Sequence, residues 1–429
     1  MRRAPVLIAV GIALAASSCH ERRRPRPVDG GATSRQPERH AIASRSAAPA
    51  TDASDLTARR PDAGRRTLRV DAPIDLGPAA QLAAGTDGVL IRTKTDHLVW
   101  TAFELPKGRP PAEPIDAEAI STIPAPAITR GSRAYWVSHG RLVRRDFSRS
   151  APGQAASGPL QVLTSDAYDA TRVAARTITA GVSRDLVAYI ARPLSSRGDR
   201  RARIWVENAA EPPDAGGGGR SFDLSDEGSG ASSVALAGSA TRTWAVTFDA
   251  RVAMSPVHVR TIDFVDGDTM RLGQDVVVFV GEAESSHTEI EVVISNEEPI
   301  ALAALPRDAG SFGLALIAFG REPILDSPAA WTMYPNGIKP ALVAVGHLCG
   351  GDWIAYARPT ESTPGAPSIL ALAPLEGVAL GAELTVAEAV RFTSLAFAPS
   401  PDEATAKRKA GWLAWSADGA SRACALRCK

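Results

Sequence analysis

Aromatic residues make up only 5% of the 429-residue chain, and Met 4, Cys 4 and His 7 are also few. A core must therefore be built mainly from Val, Leu, Ile and Ala. No apolar run approaches the roughly 20 residues that a membrane-spanning helix needs. Neither sign of charge is in excess: Lys+Arg 48 against Asp+Glu 47 gives a net charge of +1. Bulk electrostatics thus argue against a nucleic-acid partner. The chain also lacks a Gly-x-Ser-x-Gly elbow, a His-Glu-x-x-His helix, a phosphate-binding loop and a Rossmann fingerprint, so no catalytic, cofactor-binding or metal residue is assigned. What is present is 45% hydrophobic content, which excludes a wholly disordered chain, together with Gly 36 and Pro 32. That abundance of turn formers points to many short elements and away from long helices.

The first residues, Met1-Arg-Arg-Ala-Pro, are positive, and the apolar stretch Val6 to Ala16 is too short to cross a bilayer as a helix. Residues 1–18 are expected to be a secretory signal peptide. Its end, Leu14-Ala15-Ala16-Ser17-Ser18-Cys19, resembles the lipobox of bacterial lipoproteins, although that pattern prefers Leu where Ala16 stands. The resemblance implies that Cys19 is acylated, becomes the mature N-terminus and ties the protein to a lipid bilayer. His20, rather than Asp, after the cysteine implies the outer membrane, with the protein facing the periplasm or the cell surface. Ordinary cleavage after Ala13-Leu14-Ala15 is the alternative.

Residues 19–66 contain no aromatic side chain and few large aliphatic ones, so they are expected to be a disordered tether. As a flexible coil it would span about 38 Å. The near-neutral total hides a split. Residues 1–66 hold 13 Arg against 6 Asp and Glu, a net of +7, which leaves −6 on residues 67–429. The cluster Arg22-Arg23-Arg24-Pro-Arg26 is read as part of a solvated spacer rather than as a headgroup-binding site.

From Thr67 onward, short apolar runs alternate with Gly, Pro, Asp and Ser, the signature of strands and turns. Examples are Gly88–Thr93, Arg133–Val137, Leu186–Ile190, Arg203–Val206, Thr243–Phe248, Val276–Val280, Leu314–Phe319, Trp353–Tyr356 and Trp412–Trp415. Residues 67–429 should thus form an all-β domain, with Gly381–Val390 the one helix candidate. Taking Trp136, Tyr189, Phe248, Phe319, Tyr356 and Trp415 as equivalent gives a mean step of about 56 residues, the size of a propeller blade. Six or seven blades would then fill the domain, and several β-sandwiches are the competing arrangement. Ala180-Gly-Val-Ser-Arg-Asp-Leu-Val-Ala-Tyr-Ile190, Phe397-Ala-Pro-Ser-Pro-Asp402 with Gly411–Trp415, and Trp415-Ser-Ala-Asp418-Gly419 resemble the repeat of TolB-type, WD40-like propellers. The resemblance implies that the Asp sits in a turn and the aromatic packs between blades.

Cys349, Cys424 and Cys428 remain beyond Cys19. If the last segment is a strand, Cys424 and Cys428 share a face about 13 Å apart, beyond the roughly 7 Å reach of a disulfide. Cys349 then pairs with one of them, and Cys349–Cys424 is the expected bond; a curled tail would instead allow Cys424–Cys428. His347, Cys349, Cys424 and Cys428 as a zinc or copper set matches no recognised spacing. His97, His139, His258 and His287 are read as surface or turn residues. Asp263-Phe-Val-Asp266-Gly-Asp268 is read as a hairpin and Gly216–Gly219 as a surface loop. The functional expectation is a non-catalytic envelope domain that binds or scaffolds a protein or glycan partner. The alternatives are a hydrolase or lyase acting on a saccharide at the propeller channel, and a purely structural lipoprotein.

Overall fold

The computed structural model describes residues 68–429, less the segments 104–125, 147–157, 193–199, 209–217, 282–289, 324–329, 335–341 and 400–410 and several shorter ones. The signal peptide, Cys19, the tether, His287, the Asp266–Asp268 turn and Gly216 lie outside the described residues.

Every regular element among the described residues is a strand, and all strands pair antiparallel in seven sheets. The first strands of these sheets are Gln81–Ala84, Ala127–Thr129, Ala174–Ile178, Ala231–Gly238, Ile290–Ser295, Val343–Leu348 and Phe392–Pro399. Each lies against the first strand of the next sheet, and Phe392–Pro399 returns to Gln81–Ala84. The sheets are therefore the blades of a closed seven-bladed β-propeller, numbered here I to VII in that order. Blade I has three described strands; the others have four or five.

The core of this ring is divided into seven apolar clusters, one between each pair of neighbouring blades. Adjacent residues on a strand point to opposite faces and so serve different clusters. On the second strand of blade II, Arg133–Ser138, Trp136 packs towards blade I with Leu90 and Trp100. Its neighbours Tyr135 and Val137 pack towards blade III with Val187 and Tyr189. A strand covered on both faces has no solvent side, so it reads as a continuous apolar run. Gly88–Arg92 in blade I and Arg184–Ala191 in blade III are buried from end to end. Most runs identified in the sequence are such strands; Val276–Val280 instead lies in an outer strand of blade IV, Val276–Gly281, where Val278 is buried.

Ring closure falls on blade VII. Its own strands, Phe392–Pro399, Gly411–Ala417 and Ala420–Cys428, are completed on the outside by Leu68–Val70 and Ile74–Gly77, which both pair with Ala420–Cys428. Buried hydroxyls join the two ends of the chain: Ser416 Oγ donates to the Ala79 carbonyl at 2.8 Å and Ser421 Oγ to that of Gly77 at 2.6 Å. Arg427 forms an ion pair with Asp71 along the same edge.

Among the described residues, three two-residue hairpins place a non-glycine residue at positive φ before a glycine: His139-Gly140, Cys349-Gly350 and Asp418-Gly419. Positive φ at both central residues matches the twist of the flanking strands. A side chain at Gly140 would also meet the Arg192 guanidinium.

Three expectations need correction. Gly381–Val390 is not a helix: Leu384–Ala389 is an outer strand of blade VI paired with Ser368–Glu376. A bulge opposite Leu370/Ala371 breaks its alternation, leaving Thr385 and Glu388 exposed three residues apart, a spacing that imitates a helix. Phe319 follows the third strand of blade V, Phe312–Ala318, whereas Trp136, Tyr189, Phe248, Tyr356 and Trp415 all lie on second strands. The second strand of blade V, Glu298–Pro306, has no aromatic residue. Finally, Asp185 is not in a turn; it lies in the second strand of blade III and is buried.

Candidate functional site

The central channel is the natural place for a propeller's chemistry, because all seven first strands converge on it. A cavity of about 190 Å³ opens there, with lining contributed by all seven blades. Its walls carry Ala83, Ala127, Ala174, Ala235, Ala344 and Ala396 together with Leu and Val side chains. Small residues are needed where seven strands approach one axis. Of the charged side chains at this cavity, Arg172 and Glu291 form an ion pair with each other. Arg172 precedes the first strand of blade III and Glu291 lies on that of blade V, so the pair bridges past blade IV.

The densest polar chemistry lies between blades II and III, at the face where first and second strands meet. Asp185 accepts hydrogen bonds from Tyr135 Oη at 2.6 Å, Thr177 Oγ1 at 2.6 Å, Thr129 Oγ1 at 3.0 Å and Arg133 Nη1 at 3.3 Å. Glu207 accepts from Arg133 Nη1 at 2.8 Å, from Arg144 Nη1 at 2.7 Å and from the Asp185 amide at 3.1 Å. Arg144 also binds Gln161 and lies over the Trp205 ring. Burial, followed by the neighbouring Asp185 carboxylate, drives the Tyr135 hydroxyl well above its ordinary pKa and so keeps it a donor. Burial opposes the charge on Arg133, but Glu207 and the other anionic neighbours outweigh it and raise its pKa.

A second cluster joins the same two blades. Asp166, in the segment after Gln161–Thr164, accepts from Thr164 Oγ1, Tyr189 Oη and Arg203 Nη1. Burial raises the Asp166 carboxyl pKa, but the hydrogen bonds from Thr164 and Arg203 prevail and hold it below the usual range. Burial pushes the Tyr189 hydroxyl up to about 12. With carboxylates this fully supplied with donors, both clusters are suited to pinning blades together rather than to moving protons.

His258 is a structural residue rather than a surface one. It sits largely buried on the third strand of blade IV, Ser255–Val265, with Nδ1 3.3 Å from Asp275 and Nε2 3.5 Å from Asp249. Burial lowers its pKa, yet the two carboxylates raise it to about 9, so the ring is cationic at neutral pH. Only the carboxylates that the neighbouring strands bring to both ring nitrogens distinguish it from a surface histidine. His139 occupies its expected turn. His347 is exposed and bonded to Asp352.

The cysteine pairing also departs from expectation. Cys349 is bonded to Cys428, with Cα atoms 5.5 Å apart, and Cys424 is a buried free thiol. The last segment is indeed a strand, and Cys424 and Cys428 pack into the same apolar cluster. Cys424 stands opposite Leu413 in mid-strand, whereas Cys428 ends the strand, within reach of the Cys349 turn. The bond consumes two of the four donors of the zinc or copper reading. Among the described residues no group of three or more His, Cys, Asp or Glu side chains is arranged to hold a metal ion.

No family model matches the chain, and no curated protein matches it in sequence. Similar solved structures exist. The WD40 domain of Toxoplasma gondii coronin is 10% identical, covers 85% of this chain and 87% of its own, and has a TM-score of 0.51. The Dos1 propeller, 10% identical, covers 83% and 95% with a TM-score of 0.47. At such identity the coronin likeness speaks to the fold alone, and it agrees with an all-β, WD40-like propeller.

Proposed function

We propose that the chain is a lipid-anchored cell-envelope protein whose propeller is a non-catalytic binding or scaffolding domain for a protein or glycan partner. The observation that carries this reading is the channel lining. Its walls are alanine-rich, and Arg172 and Glu291 neutralise each other there. The saccharide hydrolase or lyase reading draws less support, because catalysis by paired carboxylates needs them set on either side of a substrate. The carboxylates of blades II and III are instead bound into the wall between two blades. A propeller offers loops from every blade at its faces, which suits recognition.

The anchor follows from the lipobox resemblance at Cys19. Acyl chains contribute about 0.8 kcal/mol per buried CH₂, so several chains on one cysteine hold a protein at a bilayer without a spanning helix. Cell fractionation of a Cys19→Ser variant tests it. The wild-type chain is expected in the membrane fraction and the variant in the soluble one, and a variant that stays membrane-bound overturns the anchor. Affinity capture from envelope extract with the full chain, followed by identification of a retained protein or glycan, tests the binding role.

A further inference from the structure

The disulfide stands on the blade that closes the ring. Six blades are built from contiguous chain, but blade VII needs the N-terminal segments Leu68–Val70 and Ile74–Gly77 to complete it. Both pair with Ala420–Cys428, and Cys428 lies opposite Leu68 in that pairing. Cys349 belongs to the turn between the first and second strands of blade VI. The bond therefore ties the strand that receives the N-terminal segments to the neighbouring blade.

We propose that the Cys349–Cys428 bond is an oxidative latch, which holds the closing edge of the propeller once the chain meets a disulfide-bearing oxidant. In the step itself, a thiolate of the pair attacks the oxidant's disulfide and forms a mixed disulfide. The second thiolate then displaces the oxidant's thiol. Cys349 and Cys428 together lose two protons and two electrons, and the oxidant leaves as a dithiol. Both cysteines are only partly buried, whereas Cys424 is fully enclosed. Burial pushes the Cys424 thiol up to about 12, which withholds the thiolate that would reshuffle the bond. The latch does not depend on the lipid-anchor reading.

Amide hydrogen exchange on the oxidised full chain, before and after dithiothreitol, tests it. Exchange is expected to quicken at least tenfold in residues 68–77 and 420–428, while Arg184–Ala191 in blade III keeps its protection. Unchanged exchange at the closing edge, or an equal rise in every blade, overturns the proposal. A Cys349→Ser chain should repeat the local effect without reductant, and a Cys424→Ala chain, which removes the third thiol without burying a hydroxyl, should keep protection at residues 68–77 close to wild type. If Cys424→Ala loosens those strands as much as Cys349→Ser does, the latch is refuted.

Discussion

The boundary between blades II and III and the closing edge of blade VII meet the same demand, holding strands together that are distant in sequence, with different chemistry. Between blades II and III the means is charge. Arg133, Arg144 and Arg203 are set against Asp185, Glu207 and Asp166, with tyrosine and threonine hydroxyls filling the remaining acceptor positions. At blade VII the means is largely neutral and covalent: serine hydroxyls on backbone carbonyls, a disulfide, and ion pairs of Asp71 with Arg427 and the exposed Arg69. Blades II and III are consecutive in the chain, so their network has to fix an angle rather than prevent escape. The closing edge joins residue 68 to residue 428, and without covalent help it would fray first. In the chain-entropy account a bond closing 79 residues contributes about 4.5 kcal/mol, an upper figure for real disulfides.

The contrast can be broken at the acceptor that most donors share. Asp185→Ala leaves Tyr135, Thr129, Thr177 and Arg133 without their common partner in a buried site. The expected loss of stability is about 3–5 kcal/mol by chemical denaturation. A loss below about 1 kcal/mol would mean that charge is not what holds blades II and III.

Acid should sharpen the contrast with a smaller effect. The carboxyl of Asp166 titrates below its ordinary value of 3.8, so its contribution is present above that pH and disappears as pH falls through the lowered folded value. Thermal unfolding followed from pH 5 down to pH 2.5 should show wild type losing stability more steeply than Asp166→Asn. Parallel curves would remove Asp166 from the account. The serine and disulfide contacts of blade VII have no such acid dependence.

The β architecture was legible because doubly covered strands leave unbroken apolar runs such as Leu186–Ile190 and Trp353–Tyr356. The count of six or seven blades stayed open for a local reason. Phe248 and Tyr356 are 108 positions apart, room for two blades of about 54, and the second strand between them carries Ile300, Ala301 and Leu302 in place of an aromatic residue. Blade I likewise has Gly88-Val-Leu-Ile-Arg92 without one. The polar clusters were hidden more deeply. Asp185 stood in a sequence that resembled a turn motif, and nothing nearby in the chain announces Thr129, Tyr135 or Arg133 as its donors. The wrong cysteine partner had the same origin: Cys424 and Cys428 share a face, and only the position of the Cys349 turn decides between them.

How the ring is closed turns on that last choice, and tryptic peptide mapping without reduction, after alkylation of free thiols, tests it directly. Cleavage after Arg422 and Arg427 releases Cys424 within Ala423–Arg427 and Cys428 in the terminal Cys428-Lys429. Cys428-Lys429 is expected linked to the peptide containing Cys349, with Cys424 alkylated if denaturant exposes it. Cys349 linked to Ala423–Arg427, or alkylated as a free thiol, would contradict it.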